Sequence, residues 1–203
     1  MRKPTVVVLA AGSGSRFRGT THKLLQPLGD ATVLAVTIGH ALETGLPLVV
    51  VATEPTAEVA RRSVASRDIV VLPRPGSAEG AGASLGMGRS IASGVAAHPD
   101  APGWLILPGD MPAVQPATLL AVAQALDEHP VAYAQYRSRR GHPVGFAGEL
   151  YSELVALDGD EGARRLLARY PAVGVDVDDA GVLVDIDTPA DLERLRPPAA
   201  RSG

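Results

Sequence analysis

Arg16, Arg18 and Lys23 come just after a run of small residues, Ala10-Ala-Gly-Ser-Gly-Ser15, which itself follows the apolar stretch 6–9. Small side chains let a ligand reach backbone N–H groups, and cations beside them neutralise what is bound. The first 29 residues hold five basic side chains and no acidic one, whereas the remainder holds 14 basic and 22 acidic in a chain of net charge −3. Positive charge set beside a glycine loop suits a polyphosphate. A second segment, Trp104-Leu-Ile-Leu-Pro-Gly-Asp110-Met-Pro112, reads as a buried strand that delivers Asp110 to its carboxyl end. A carboxylate held there can bind Mg2+, which bridges nucleotide phosphates. A third, Val184-Asp-Ile-Asp-Thr-Pro-Ala-Asp-Leu192, reads as a strand ending in a helix cap. Strand alternation would put Asp185 and Asp187 on one side, a costly pairing unless a cation or donors offset it.

Two familiar phosphate loops are excluded. G-x-x-x-x-G-K-[ST] fails because Lys23 lies between His22 and Leu24, and G-x-G-x-x-G fails because Phe17 stands at its sixth position. Three weaker features remain. Gly141-His-Pro143 follows the basic residues Arg137, Arg139 and Arg140 and reads as an extended loop presenting His142. Asp158-Gly-Asp-Glu-Gly-Ala-Arg164 reads as the start of a helix that could receive an anion. The stretch 75–94 is rich in glycine and serine, and of its two similar segments Gly86-Met-Gly-Arg-Ser90 is the one that continues into a helix.

These residues need a scaffold. Apolar runs alternate with stretches of helical period, the pattern of an α/β sheet. Strands are predicted at 5–10, 48–52, 69–72, 104–107, 131–136, 173–177 and 182–186. Helices are predicted at 32–42, 54–65, 116–127, 149–156, 161–168 and 189–195, the last with Thr188 as cap and proline in its first turn. An open parallel sheet binds ligands at the carboxyl ends of its strands, where the polar residues above collect.

The 203 residues fit a single domain over 1–196, with 197–203 as a frayed tail. Cysteine is absent, which removes disulfides and thiolate catalysis and is compatible with the cytoplasm. No run reaches membrane-span length and no signal peptide is expected. With 3% aromatic residues and a near-neutral balance, the chain lacks the face of a nucleic-acid binder.

The loop L-A-A-G-x-G-x-R-F with a lysine six residues after Phe17, the Asp110-Met-Pro segment and Asp185-Ile-Asp-Thr-Pro189 together resemble the MobA-like nucleotidyltransferases. Within that group, Leu9-Ala-Ala-Gly12 and Gly141-His-Pro143 are similar to the molybdenum cofactor cytidylyltransferases. The resemblance runs from Val6 to Leu195. It implies an α/β three-layer Rossmann-like sandwich with a mostly parallel mixed sheet, of the nucleotide-diphospho-sugar transferase type. It also implies a Mg2+-dependent transfer of CMP from CTP to the phosphate of molybdopterin or the molybdenum cofactor, with a molybdoenzyme or its chaperone as a further partner. Carried onto this chain, Leu9, Ala10, Ala11, Gly12, Ser13, Gly14, Arg16, Lys23, Pro75, Gly88 and Ser90 would contact the nucleotide. Arg16, Lys23 and Asp110 would be catalytic; Asp110, Asp185 and Asp187 would hold the metal; His142, Pro143, Asp160 and Arg164 would meet the acceptor. GTP or another nucleotide, and a sugar or alcohol phosphate as acceptor, stay open. So do a non-catalytic nucleotide-binding accessory protein and a redox enzyme on the same fold.

Overall fold

The central strands are apolar on both faces, so each must be covered by helices on both sides. The computed structural model describes residues 2–12, 22–73, 86–159 and 163–196. Ser13, Gly14, Arg16, Arg18, Pro75, Asp160 and the tail 197–203 lie outside the described residues.

In chain order the main elements are β1 (Thr5–Ala10), β2 (Pro27–Leu28), β3 (Ala31–Thr32), α1 (Val33–Glu43), β4 (Leu48–Ala52), α2 (Glu54–Ala60), β5 (Ile69–Val71) and α3 (Met87–Ala97). Then follow β6 (Gly103–Pro108), α4 (Pro116–Ala125), β7 (Val131–Tyr136), β8 (Arg139–Ala147), α5 (Tyr151–Val155), α6 (Arg164–Arg169), β9 (Ala172–Asp176) and α7 (Pro189–Leu195). The seven-stranded sheet has the order β5-β4-β1-β6-β8-β7-β9, and β8 alone runs antiparallel to its neighbours.

Alternation sorts the core into two layers. Val6, Val8 and Ala10 of β1 and Leu105 and Leu107 of β6 pack under α1, α2, α4 and α7. Val7, Trp104 and Ile106 pack on the other face with Ile91 and Val95 of α3, Leu154 of α5 and Leu166 of α6. This is the mostly parallel three-layer sandwich expected from the sequence.

The chain steps from β1 to β4 to β5, then returns over α3 to lay β6 on the far side of β1. The carboxyl ends of β1 and β6 therefore flank the point where strand order reverses, the crevice in which open α/β sheets bind ligands.

Three expectations change. Residues 182–186 are not a strand: a 3-10 turn, Ala180–Leu183, is followed by irregular backbone. Asp179 causes the turn by accepting from the N–H groups of Gly181 and Gln115 and from the Thr118 hydroxyl. His142 and Pro143 sit inside β8 rather than in a loop, across a cis peptide bond. The helix expected at 54–65 stops at Ala60, where the chain turns.

Candidate active site at the β1–β6 switch point

The ends of β1 and β6 are tied together through backbone. The Gly109 N–H donates to the Leu9 carbonyl at 2.9 Å, and a Cβ at residue 109 would stand 2.9 Å from that same oxygen. Two buried threonines hold the adjoining carbonyls: Thr56 donates to Ala10 at 2.8 Å, and Thr37 donates to Gly109 at 3.0 Å. Each buried hydroxyl also lies within hydrogen-bond reach of a carbonyl in its own helix start, Thr37 of Val33 at 3.1 Å and Thr56 of Thr53 at 3.0 Å, so each ties a helix to the strand end it faces. Leu9, Ala10, Ala11 and Gly12 are therefore presented on a rigid edge.

His22 joins the two sides of the glycine loop. Its Nδ1 accepts from the Leu24 N–H at 3.3 Å, which leaves Nε2 to donate to the Gly12 carbonyl at 2.8 Å. Lys23 follows at once in a single 3-10 turn, Lys23–Leu25. Its Nζ lies 2.5 Å from Asp110 Oδ2 and 3.0 Å from Asp187 Oδ1. Burial works to lower the Lys23 pKa, but the Asp110 charge and the hydrogen bonds to both aspartates outweigh it and raise the pKa above its usual value. The side chain stays cationic through the neutral range.

One oxygen each from Asp110, Asp185 and Asp187 lies within 4.8 Å of the others. Asp110 is placed by β6. Asp185 and Asp187 arrive by a different route, on the irregular segment after the 3-10 turn. The buried Ile186 between them donates its N–H to the Asp110 carbonyl at 3.0 Å. Two further contacts guide that segment. At residue 141 of β8 a Cβ would stand 2.2 Å from the Val182 carbonyl, so only glycine lets the two backbones approach. Beyond it, the Thr188–Asp191 capping box opens α7, and the Asp187 N–H donates to the Asp191 carboxylate at 3.3 Å. The clustering of the two acids was anticipated; the strand alternation offered as its reason was not the cause.

His142 lies beside this cluster. Burial pushes its pKa down, and the charges of Asp110 and Asp185 pull it partly back. Gly88 and Ser90 are buried in the first turn of α3, and the Gly88 N–H donates to the Gly159 carbonyl at 2.9 Å. Arg164 is exposed at the first position of α6, a helix of six residues and too short to offer much of a dipole to an anion. Sequence reasoning missed Thr37, Thr56 and Ile186, whose roles are made by contacts distant in the chain. It gave no role to His22, although that residue precedes the lysine directly. No helix among the described residues is long and apolar enough to cross a membrane.

This arrangement has relatives. PucB of Bacillus subtilis, a purine catabolism protein, is 30% identical over 209 residues, covering 97% of this chain and 98% of its own. The bifunctional protein GlmU of Halorhodospira halophila is 34% identical over 120 residues, 59% of this chain. This chain spans about a quarter of the length of that relative, the match covering 24% of it. Among solved structures, Rv0371c from Mycobacterium tuberculosis superposes with a TM-score of 0.78 at 32% identity, over 95% of this chain and 97% of its own. A manganese complex of Rv0371c superposes with a TM-score of 0.75. Residues 6–173, which carry the glycine loop, Lys23 and Asp110, match the MobA-like NTP transferase domain, and the chain belongs to that family of nucleotidyltransferases.

Proposed function

We propose that the chain transfers CMP from CTP to the phosphate of molybdopterin or the molybdenum cofactor, with Mg2+ as metal and pyrophosphate as second product. The observation that carries this reading is the meeting of Asp110, Asp185 and Asp187 within 4.8 Å at the switch point, with Lys23 paired to Asp110 and Asp187. Three carboxylates and one ammonium leave a formal charge of −2, which a divalent cation balances. Carboxylate oxygens suit Mg2+, and the Lys23 ammonium already stands in for a cation between two of them. The manganese complex of Rv0371c supports a divalent metal in this family. When bound, the metal would neutralise and orient the nucleotide phosphates.

The rest falls to the chain itself. Gly12, with Ser13 and Gly14, offers backbone donors to the phosphates. Lys23 and Arg16 stabilise charge on the departing pyrophosphate, a contribution of roughly 3–4 kcal/mol for one preorganised group. An acceptor phosphate oxygen forms the new bond to the α-phosphorus as the α–β bridging bond breaks, and pyrophosphate leaves with the electron pair. The acceptor is already an anion, so no protein base is required. Pro75, Gly88 and Ser90 belong to the base side, and His142, Pro143, Asp160 and Arg164 to the acceptor side. Free CTP and the cofactor place this chemistry in the cytoplasm, with a molybdoenzyme or its chaperone receiving the product.

The test is pyrophosphate release with Mg2+, molybdopterin or its molybdenum form, and CTP, GTP, ATP or UTP in turn. Release with CTP alone is expected. Release with another nucleotide would move the base, and release only with a sugar or alcohol phosphate would move the acceptor. Silence with every pair, despite nucleotide binding, would make the chain an accessory binding protein.

A further inference from the structure

Sheet order decides where an attacking group must enter. Along the carboxyl edge, β1 with Gly12 comes first, then β6 with Asp110, then β8 and β7. On the nucleotidyl-transfer reading above, pyrophosphate leaves over the glycine loop. In-line displacement then brings the nucleophile from the far side of Asp110. That side carries the hairpin between β7 and β8, with Arg137 and Ser138 at its turn, both at positive φ (50° and 62°).

Arg137, Arg139 and Arg140 are all exposed on this hairpin. The Arg137 guanidinium lies over the Tyr136 ring and that of Arg140 over the Tyr133 ring, each 5.1 Å from the centroid. Several other arginines take carboxylate partners: Arg61 with Glu54, Arg169 with Glu153, Arg194 with Asp191, Arg196 with Glu193. Among the described residues no carboxylate pairs with the three on the hairpin. Asp176, across from Gln135 on β9, is held instead by the Gln135 amide at 2.8 Å. Glycine at residue 174 leaves room beside the strand for both side chains: a Cβ there would stand 2.3 Å from the Gln135 amide oxygen and 3.1 Å from the Tyr133 ring. A guanidinium stacked on a ring is held in one orientation while its N–H edge stays available to an anion. Arg140 lies two residues before His142, which feels the charges of Asp110 and Asp185.

We infer that Arg140, braced on Tyr133, is the residue that binds the acceptor, and that the group it takes is a phosphate monoester. Acceptor and nucleotide are both anions, so their approach needs positive charge on the entry side. Arg140 supplies it at contact; Arg137 and Arg139 add to the field that draws the acceptor in.

Phenyl phosphate serves as probe, titrated into nucleotide-free protein while the arginine Nε–Hε signals are followed by NMR. Arg140 should shift saturably, and Arg140→Gln should weaken binding about ten- to hundredfold, the range of a charge-assisted hydrogen bond. Arg61→Gln, on the α2 surface, should leave it unchanged. In steady state Arg140→Gln should raise the acceptor KM while leaving kcat and the nucleotide KM nearly unchanged. Equal probe affinity in Arg140→Gln and the natural chain, or no saturable shift at Arg140, would overturn the assignment. Probe binding at Arg140 without turnover of any nucleotide would keep this site and remove the transfer reading.

Discussion

Asp110 and the pair Asp185–Asp187 reach the same few ångströms by opposite means. Asp110 rides on the end of a buried parallel strand whose backbone is bonded to β1 through Gly109 and Leu9. Asp185 and Asp187 sit on backbone with no sheet partner, held by the Ile186 N–H on the Asp110 carbonyl, by burial of Ile186 and by the cap of α7. One carboxylate is positioned by the fold, the others by a local tether to it. A site assembled this way should lose chemistry when Asp110 is altered and lose geometry when the tether is altered.

The largest effect is expected where the fold has done the positioning. Asp110→Asn and Lys23→Met should each lower turnover by about two orders of magnitude or more, as losing one preorganised electrostatic group does. Circular dichroism should barely change in either variant, and the unfolding midpoint of Asp110→Asn should hold, because the amide keeps the side chain's shape and removes one of three clustered negative charges. Lys23→Met leaves those carboxylates without their cation, so its midpoint should fall. The tether should behave the other way round. Ile186→Ala should cost about 2–4 kcal/mol of stability, the range for truncating a fully buried isoleucine. In urea titrations its midpoint should fall, whereas that of Asp110→Asn should hold; similar stability losses in both would erase the distinction.

His22 sharpens the comparison on the β1 side. Glutamine can keep the donor to Gly12, whereas asparagine keeps only the acceptor for Leu24. His22→Asn should therefore raise the nucleotide KM about three- to tenfold, the value of one neutral hydrogen bond, and His22→Gln much less. Equal behaviour of the two variants would remove the Gly12 link from the account.

The smallest effect concerns pH. The His142 pKa is lowered in the folded chain, chiefly by burial, so below about 6.5 the unfolded chain binds more protons than the folded one. Stability is then complete above that pH and declines as pH falls towards the folded value. His142→Gln should flatten this slope by less than one proton. An unchanged slope between pH 5 and 6.5 would show that the imidazole is not shielded.

The contrast between the two routes also marks what could be read in advance. Continuous apolar runs in 5–10, 48–52 and 104–107 announced strands buried on both faces, and the carboxyl end of the last gave the place of Asp110. Thr188 and Pro189 announced the α7 cap, and the structure adds Asp191, whose carboxylate closes the capping box. The apolar pattern of 182–186 misled, because Asp179 gathers donors from Gln115 and Thr118, both more than 60 residues away in sequence. β8 was missed because its glycines, proline and two arginines look like a loop. It forms because its neighbours β6 and β7 pair with it on both sides. Short-range patterns could not show Thr37 and Thr56 either, since their partners are backbone carbonyls on other elements.

The central claim is that these carboxylates hold a divalent metal together with a nucleotide. The most direct measurement is electron paramagnetic resonance of Mn2+ titrated into the protein with CTP, in the natural chain and in Asp110→Asn. The account predicts saturable Mn2+ binding that Asp110→Asn weakens at least about tenfold, the tenfold step being 1.4 kcal/mol. Equal Mn2+ affinity in the two proteins would contradict it.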